Sequence, residues 1–555
     1  MSKHVFRLLP TALRAAMPMA LLLLAGCYED EGNYTYDESV SDIEVKLNGM
    51  YGVRLADTPF EYTIRPDITT ADGDVSYLDY TWVMNTSDPN SLDNDTVSHD
   101  AAVTLCIDPE AQPLAYNYYL RLYVTNNRTG TVTMVPTQLE VAKPYTKCWM
   151  VLHTAGGHAE MGAVEYAGSD ILVTPDAYSR DAGRQLTGMP LGIASVLHST
   201  SEYTVGYNSE AYLYLNTTNR QESGLLNQTH KFELAAPWDD INYVSYTAPD
   251  SKIDMANFTH ASSGNGGLVI CSNGEIARNW ASDGPYIMPM LPDQTITGDY
   301  YISKVGGGPH TAIGYDSIGH RFVHVALQSG SMWSYKGGTL SRIPYKSGVD
   351  ATDPNRVDPT EEVIAIVNGY HYDISSRANW QRYSCYAYAL GAGSMSHVYV
   401  FRYYPLTSGT DAVVPAEYEF VTPDGVGRNT PMASGPTFNN ILFYAAGNKI
   451  YRLDIVTGTA TVIWQSDDPR ATIGSLRMAV DSYAWGNTTN SDQTGTDTYG
   501  HPFVRVLGAG VNRSDGTGEM VVLHLNTAGK VDDDGKFPAV QVNRGFGPIK
   551  DIAFI

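Results

Sequence analysis

Ile441-Leu442-Phe443-Tyr444-Ala445-Ala446-Gly447-Asn448-Lys449-Ile450-Tyr451-Arg452-Leu453-Asp454 decides the fold of the larger part of this chain. An apolar run is followed by Gly447-Asn448, whose residue types supply the positive φ of a two-residue hairpin, and then by a run carrying Tyr451. Thr457-Gly458 closes the phrase before Val462 and Trp464. The phrase returns from Leu268 to Arg278 around Asn273-Gly274, and from Met520 to Val531 around Gly529. Repeated four-stranded units of roughly 40 to 60 residues indicate a β-propeller. Over about 410 residues, 148–555, that unit size predicts seven blades, with eight as the alternative. A second and third β-sandwich is the competing architecture, because the repeats are degenerate. A ring of blades leaves two sheet edges exposed unless its ends pair. The last strand, around Ile549 to Phe554, is therefore expected to join the blade of Trp149 to Leu152.

Upstream, Tyr118-x-Leu120-x-Leu122-x-Val124 alternates strictly, Asn126-Asn127-Arg128-Thr129-Gly130 supplies a turn, and Val132-x-Met134 resumes before Leu139-x-Val141. This predicts a hairpin with one buried face. Tyr80-Thr81-Trp82-Val83-Met84 reads as a further strand whose Trp82 plugs a core. Residues 36–142 thus fit an immunoglobulin-like β-sandwich. With Gly 51, Pro 29 and Tyr 39 and few segments of 3.6 period, the chain is all-β and helices are expected to be scarce.

The N-terminus sets the compartment. Lys3, Arg7 and Arg14 stand without an acid among the first fourteen residues, and Ala15 to Gly26 is apolar or small, as in a signal peptide over 1–26. The run is short of the roughly 20 residues a spanning helix needs. Leu24-Ala25-Gly26-Cys27 resembles the bacterial lipobox, so Cys27 is expected to take lipid and tether the protein to the outer membrane, since two or more acyl chains give stable anchoring. Residues 27–35 form an acidic tether in which Glu29, Asp30 and Glu31 resemble the export signal that carries some lipoproteins to the outer face of that membrane. The formal charge is −24, and removing 1–26, which holds three positive charges and no acid, makes it −27. Nucleic acid is disfavoured as a partner, because backbone binding needs clustered Lys and Arg. Cys106, Cys148, Cys271 and Cys385 are scattered without CxxC spacing, which argues against a zinc site. One disulfide is permitted, but free, buried thiols are expected.

No HExxH, GxSxG or GxxxxGK[ST] occurs. His320 and His324, three residues between them on a strand, read as structural histidines. Asp532-Asp533-Asp534-Gly535 has Lys536 where a calcium loop needs oxygen, and reads as a solvated turn. Gly306-Gly307-Gly308-Pro309 lacks the strand and helix of a dinucleotide loop and reads as a turn. No metal or cofactor is implied. The segment nominated for binding runs from Tyr370 to Tyr383. Tyr370, His371, Tyr372, Arg377, Trp380, Arg382 and Tyr383 mix aromatics with arginine where strand alternation lapses. Aromatic faces stack on sugars or peptide side chains, and arginine binds carboxylates in a fork. Packing of these tyrosines between blades is the competing reading. Arg278 to Tyr286 is a weaker second segment.

Tyr80-x-Trp82 followed by Tyr118-x-Leu120-x-Leu122-x-Val124-Thr125-Asn126 resembles the PKD-like family domain of surface lipoproteins; the W-D-F-G-D of PKD domains proper is absent. In such lipoproteins the remainder commonly opens on W-x-V-L and ends in G-F-G-x-I, matched here by Trp149-Met150-Val151-Leu152 and Gly545-Phe546-Gly547-Pro548-Ile549. The resemblance implies company with SusC/SusD-type outer-membrane importers. The resulting expectation is a non-catalytic surface lipoprotein that captures a glycan or oligopeptide. Two alternatives stand beside it. One is a surface enzyme cleaving glycosides with a carboxylate pair whose spacing the linear sequence does not reveal; the other is a structural or adhesive protein that binds only proteins.

Overall fold

The computed structural model describes residues 43–555 apart from 57, 87–93, 110–115, 168–169, 200–208, 239–256, 264–265, 271–273, 281–286, 308–310, 327–338, 346, 349, 372–382, 407–408, 480–500, 534, 536 and 537. The chain is all-β, and among the described residues the one α-helix is Ala177–Ala182. By spatial contacts it divides into two compact units, one holding residues up to 49 with 61–106 and 119–137, the other 50–60, 107–118 and 138–555.

The N-terminal part is a β-sandwich. Its five-stranded sheet runs Met50–Arg54, Val132–Ala142, Tyr116–Asn126, Leu78–Asn85, Asp95–Ser98, joined by the short pairs Glu44–Lys46 with Asp67–Thr69 and Phe60–Ile64 with Val103–Ile107. The alternation read from sequence sets the core: Leu120, Leu122 and Val124 point inward and Trp82 is fully buried. The hairpin closes as its turn residues require, with Gly130 at φ 73° and its N–H on the Asn126 carbonyl.

The propeller is a run of seven sheets among the described residues. They are built from the chain in sequence order: 148–174, 190–237, 257–289, 291–342, 362–421, 432–465 and 472–546. The first is completed by Ile549–Phe554, which lies antiparallel to Cys148–Ala155 with Trp149 opposite Phe554 and Val151 opposite Ile552. The expected end-to-end pairing is therefore present. Gly547 in the Gly-Phe-Gly segment serves this seam, since a Cβ there would collide with the Thr154 carbonyl oxygen. Phe546 in turn fills the space over Gly162, where a Cβ would come within 2.5 Å of its ring.

Three expectations change in detail. Gly306 and Gly307 belong to the strand Ile302–Gly307 and not to a turn, because a neighbouring strand approaches so closely that only glycine fits. After the strand Gly518–His524, Lys530-Val531 supplies only the bridge from Val531 to Leu525, and the next strand waits until Val540. Cys148 and Cys385 are buried thiols, the latter donating to the Asn368 side-chain oxygen, but Cys106 is exposed, and Cys271 lies outside the described residues. On Val103–Ile107 the apolar Val103, Leu105 and Ile107 take the inward positions, which turns Cys106 out.

Candidate functional site

Among the described residues each propeller sheet has an edge strand at either end, and in each sheet one of the two packs against its counterparts in the neighbouring sheets. These are Ile549–Phe554, Pro190–Ser199, Asn257–Ser263, Ile302–Gly307, Glu362–His371, Met432–Ala433 and Thr472–Met478. Each packs against the next in that order, and the last packs against the first. The cycle encloses the propeller axis. Because strand side chains alternate between the two faces of a sheet, most of them point into the gaps between blades, and the axis is walled largely by backbone edges whose inward N–H and C=O groups lie outside the sheet ladders.

Within this ring lies a cavity of about 170 Å³ bounded by residues from six of the seven sheets, including Ser195, Gly306, Asn368, Ser434, Arg477 and Phe554. Gly306 lets two strands close on the axis: a Cβ there would come within 2.5 Å of the Ile366 carbonyl oxygen. Among the described residues the charged member of the wall is Arg477. Its Nη2 donates to both carboxylate oxygens of Asp551, at 3.1 and 3.2 Å, and its Nε donates to Oδ1 at 3.3 Å. Asp551 also accepts the edge N–H of Ile193 at 3.2 Å and the N–H of Ile552 at 2.9 Å. One carboxylate on the closing strand thus joins the second and seventh sheets and satisfies an edge donor that the fold leaves unpaired. The Ser434 hydroxyl donates to the Ile441 carbonyl at 2.7 Å. Phe554 is half-buried, with Phe503 4.7 Å and Trp149 5.1 Å away between ring centroids.

The nominated binding segment joins this cavity through its stem. Asn368 is on the wall, and two residues on, half-buried Tyr370 offers its carbonyl to the Ser384 hydroxyl at 2.9 Å. His371 and Tyr383 face each other as the last pair of the hairpin ladder. Tyr372, Arg377, Trp380 and Arg382 lie outside the described residues, as do Cys27, Glu29, Asp30 and Glu31. In the second segment Arg278 to Trp280 is strand and 281–286 is outside the described residues. His320 and His324 do not act together: His320 sits in a turn at φ 45°, while His324 is mid-strand opposite Ile313 and Ser341.

The structure also assembles a group that the sequence reading missed. In the fifth sheet His397 Nδ1 lies 2.9 Å from Glu361 Oε1 and 3.4 Å from Glu417 Oε1, and Nε2 lies 3.3 Å from Glu419 Oε1. The Tyr399 hydroxyl donates to the other oxygen of Glu361 at 2.5 Å. Burial raises the Glu417 carboxyl, helped by the charges of Glu361 and Glu419 and opposed by His397. Burial and the bond to Glu361 push the Tyr399 hydroxyl well up. His397-x-Tyr399 and Glu417-x-Glu419 are paired alternations on adjacent strands, and that was the available signal. The group ties Glu361, at the entry to the innermost strand, to the outer strands through the Tyr399 hydroxyl and the close approach of His397. Among the described residues no cluster of three or more His, Cys, Asp or Glu is arranged to hold a metal ion.

Comparison with known proteins follows this geometry. Residues 27–190 match the PKD-like family. No curated protein matches the chain. Among solved structures, a Bacteroides fragilis protein described as a 6-phosphogluconolactonase is similar at 11% identity, over 86% of this chain and 98% of that one, with a TM-score of 0.30. A β-propeller domain from Myceliophteria thermophila is similar at 9% identity, over 58% and 93%, with a TM-score of 0.24. A Synechocystis apocarotenoid oxygenase variant is similar at 10% identity, over 90% and 96%, with a TM-score of 0.29. At these values the likenesses carry no argument about ligand or activity.

Proposed function

We propose that this chain is a non-catalytic, lipid-anchored protein of the outer-membrane surface that captures a glycan or an oligopeptide at the axial mouth of its propeller, as an accessory to a SusC/SusD-type importer. One observation carries the reading. The strand that contributes Asn368 to the axial cavity runs directly into the hairpin whose connection holds Tyr372, Arg377, Trp380 and Arg382. A concave site with a few convergent polar groups is the usual place for a small ligand. The sequence of that connection is rich in aromatics and arginine, the residue types that dominate binding energy. The anchoring side of the proposal is supported by the lipobox at Leu24 to Cys27 and the acidic residues after it.

The test is a screen of the mature chain, residues 27–555, against glycan and peptide libraries with product analysis. Binding without turnover is expected. Binding to neither library would overturn capture in favour of a protein-binding scaffold. Turnover of a glycan would overturn it in favour of a surface glycosidase. The feature that favours this second reading is Glu417, a raised carboxyl beside Glu361, and Glu417→Gln would then abolish product formation.

A further inference from the structure

From the composition of the axial cavity we infer that its ligand is one terminal ring of a neutral sugar, with Arg477 as the hydrogen-bonding anchor and Asp551 as the residue that positions it. This inference rests on the axial site proposed above and narrows its ligand class.

Size comes first. About 170 Å³ is many times the roughly 10–15 Å³ that admits one water. It is well below the ~300–1,000 Å³ of pockets that enclose drug-sized ligands. The space suits a single ring entering end-on and not a stretch of peptide, which needs an extended groove with pockets for alternate side chains.

Charge decides against an anion. The guanidinium of Arg477 is held by Asp551, whose side chain is only 15% exposed, so the cation on the wall is already neutralised. Among the described residues of the wall, a buried ligand carboxylate would meet no uncompensated positive charge, and burying an unpaired charge is costly. Asp551 engages Nε and Nη2, which turns the remaining arm, Nη1, into a fixed pair of donors.

The other polar groups complete a hydroxyl-binding set. The Asn368 side-chain oxygen accepts from the Cys385 thiol at 3.8 Å, and the amide group of Asn368 is the part assigned to the ligand. The Ser434 oxygen, having donated its proton to Ile441, accepts. Ser195 adds a hydroxyl on the opposite side of the ring of strands. A sugar hydroxyl both donates and accepts, and such a mixed wall serves it on both counts. Phe554, packed in the seam with Trp149 and Phe503 and half-buried there, borders the cavity with the part of its ring the seam leaves uncovered, an apolar edge for the C–H groups of a ring. Arg–Asp fork, amide, hydroxyls and one aromatic surface in a space of this size describe a neutral polyol ring.

The experiment titrates the mature chain with methyl α-mannoside, methyl α-glucoside and methyl β-galactoside, with methyl glucuronide as the anionic probe and an N-acetylated dipeptide amide as the peptide probe. We expect at least one neutral glycoside to bind saturably. Arg477→Lys retains the ion pair with Asp551 but removes the second nitrogen arm, and should weaken that glycoside about tenfold or more. Ser195→Leu narrows the cavity without touching the ion pair and should weaken it comparably, with the melting temperature as the check on folding. Binding of only the glucuronide or the dipeptide would overturn the neutral-sugar assignment while leaving capture intact. Glycoside binding that neither substitution alters, with folding retained, would also overturn it, by placing the ligand away from the axis. Failure of every probe, followed by success of a longer glycan in the library screen, would reject the single-ring site alone; failure of both would reject capture as well.

Discussion

Trp149 and Phe554 stand opposite one another in an antiparallel ladder, their rings edge to face with centroids 5.1 Å apart. They join the first strand of the propeller to its last, and both rings belong to the apolar seam that also holds Phe503, Val522 and Ile552. Deleting residues 549–555 exposes this seam and leaves Cys148–Ala155 with an open edge. We expect loss of the cooperative melting transition, and Trp149→Ala alone should cost about 3–5 kcal/mol. Chemical denaturation measures both. A truncated chain that melts like the intact one would contradict closure at this seam.

Gly306 gives a second test of the ring. A methyl group there meets the Ile366 carbonyl at 2.5 Å, and a backbone atom cannot swing aside as a flexible side chain can. Gly306→Ala should destabilise by about 1–3 kcal/mol through overpacking. An unchanged denaturation midpoint would show that the two strands are further apart than described.

Glu417 yields a pH dependence with a definite sign. Its folded-state carboxyl is raised, chiefly by burial, so the folded protein holds that proton more tightly than the unfolded chain. The contribution to stability is therefore full below the ordinary value of 4.5 and declines as pH rises through the raised one. Glu417→Gln removes that decline. Relative to the parent, the variant should gain melting temperature as pH rises from the ordinary carboxyl value of 4.5 through the raised one, by an amount equivalent to at most about 1 kcal/mol because the site is partly solvated. A relative loss over that interval would show that the attraction to His397 outweighs burial.

Trp380 separates binding from folding. As an axial contact, its replacement by alanine should weaken ligand binding by roughly 1–4 kcal/mol with little change in melting temperature. As a residue packed between blades, the same change would cost about 3–5 kcal/mol of stability with intrinsic affinity intact. Titration and calorimetry on one variant distinguish the two.

Cys27 tests the anchor. On the proposed lipid anchor at this thiol, Cys27→Ala should release the protein from the membrane fraction or leave it unprocessed. External protease should remove the parent protein from intact cells, and replacing Glu29, Asp30 and Glu31 should protect it. Membrane retention of the Cys27 variant would reject lipid anchoring.

The sequence by itself determined the elements and much of their order. Tyr118 to Val124 and Ile441 to Asp454 form strands because their alternation and turn residues act over a few positions, where local geometry suffices. The pairing of Ile549–Phe554 with Trp149–Leu152 was also legible, since an unpaired edge is costly wherever it occurs. The tertiary structure alone decided the axial site. Arg477 and Asp551 come from different sheets, Ser195 and Asn368 from two more, and nothing in their flanking residues marks them as neighbours. Glu361 likewise reaches His397 only because a connection between sheets delivers it there. Gly306 carried a signal that could be misread: glycine marks a turn or a close approach with equal force, and only the position of Ile366 tells which. Periodicity reports which way a side chain faces along its own strand, whereas a site on the axis depends on how separate blades are turned toward one another, and that is set by packing between sheets.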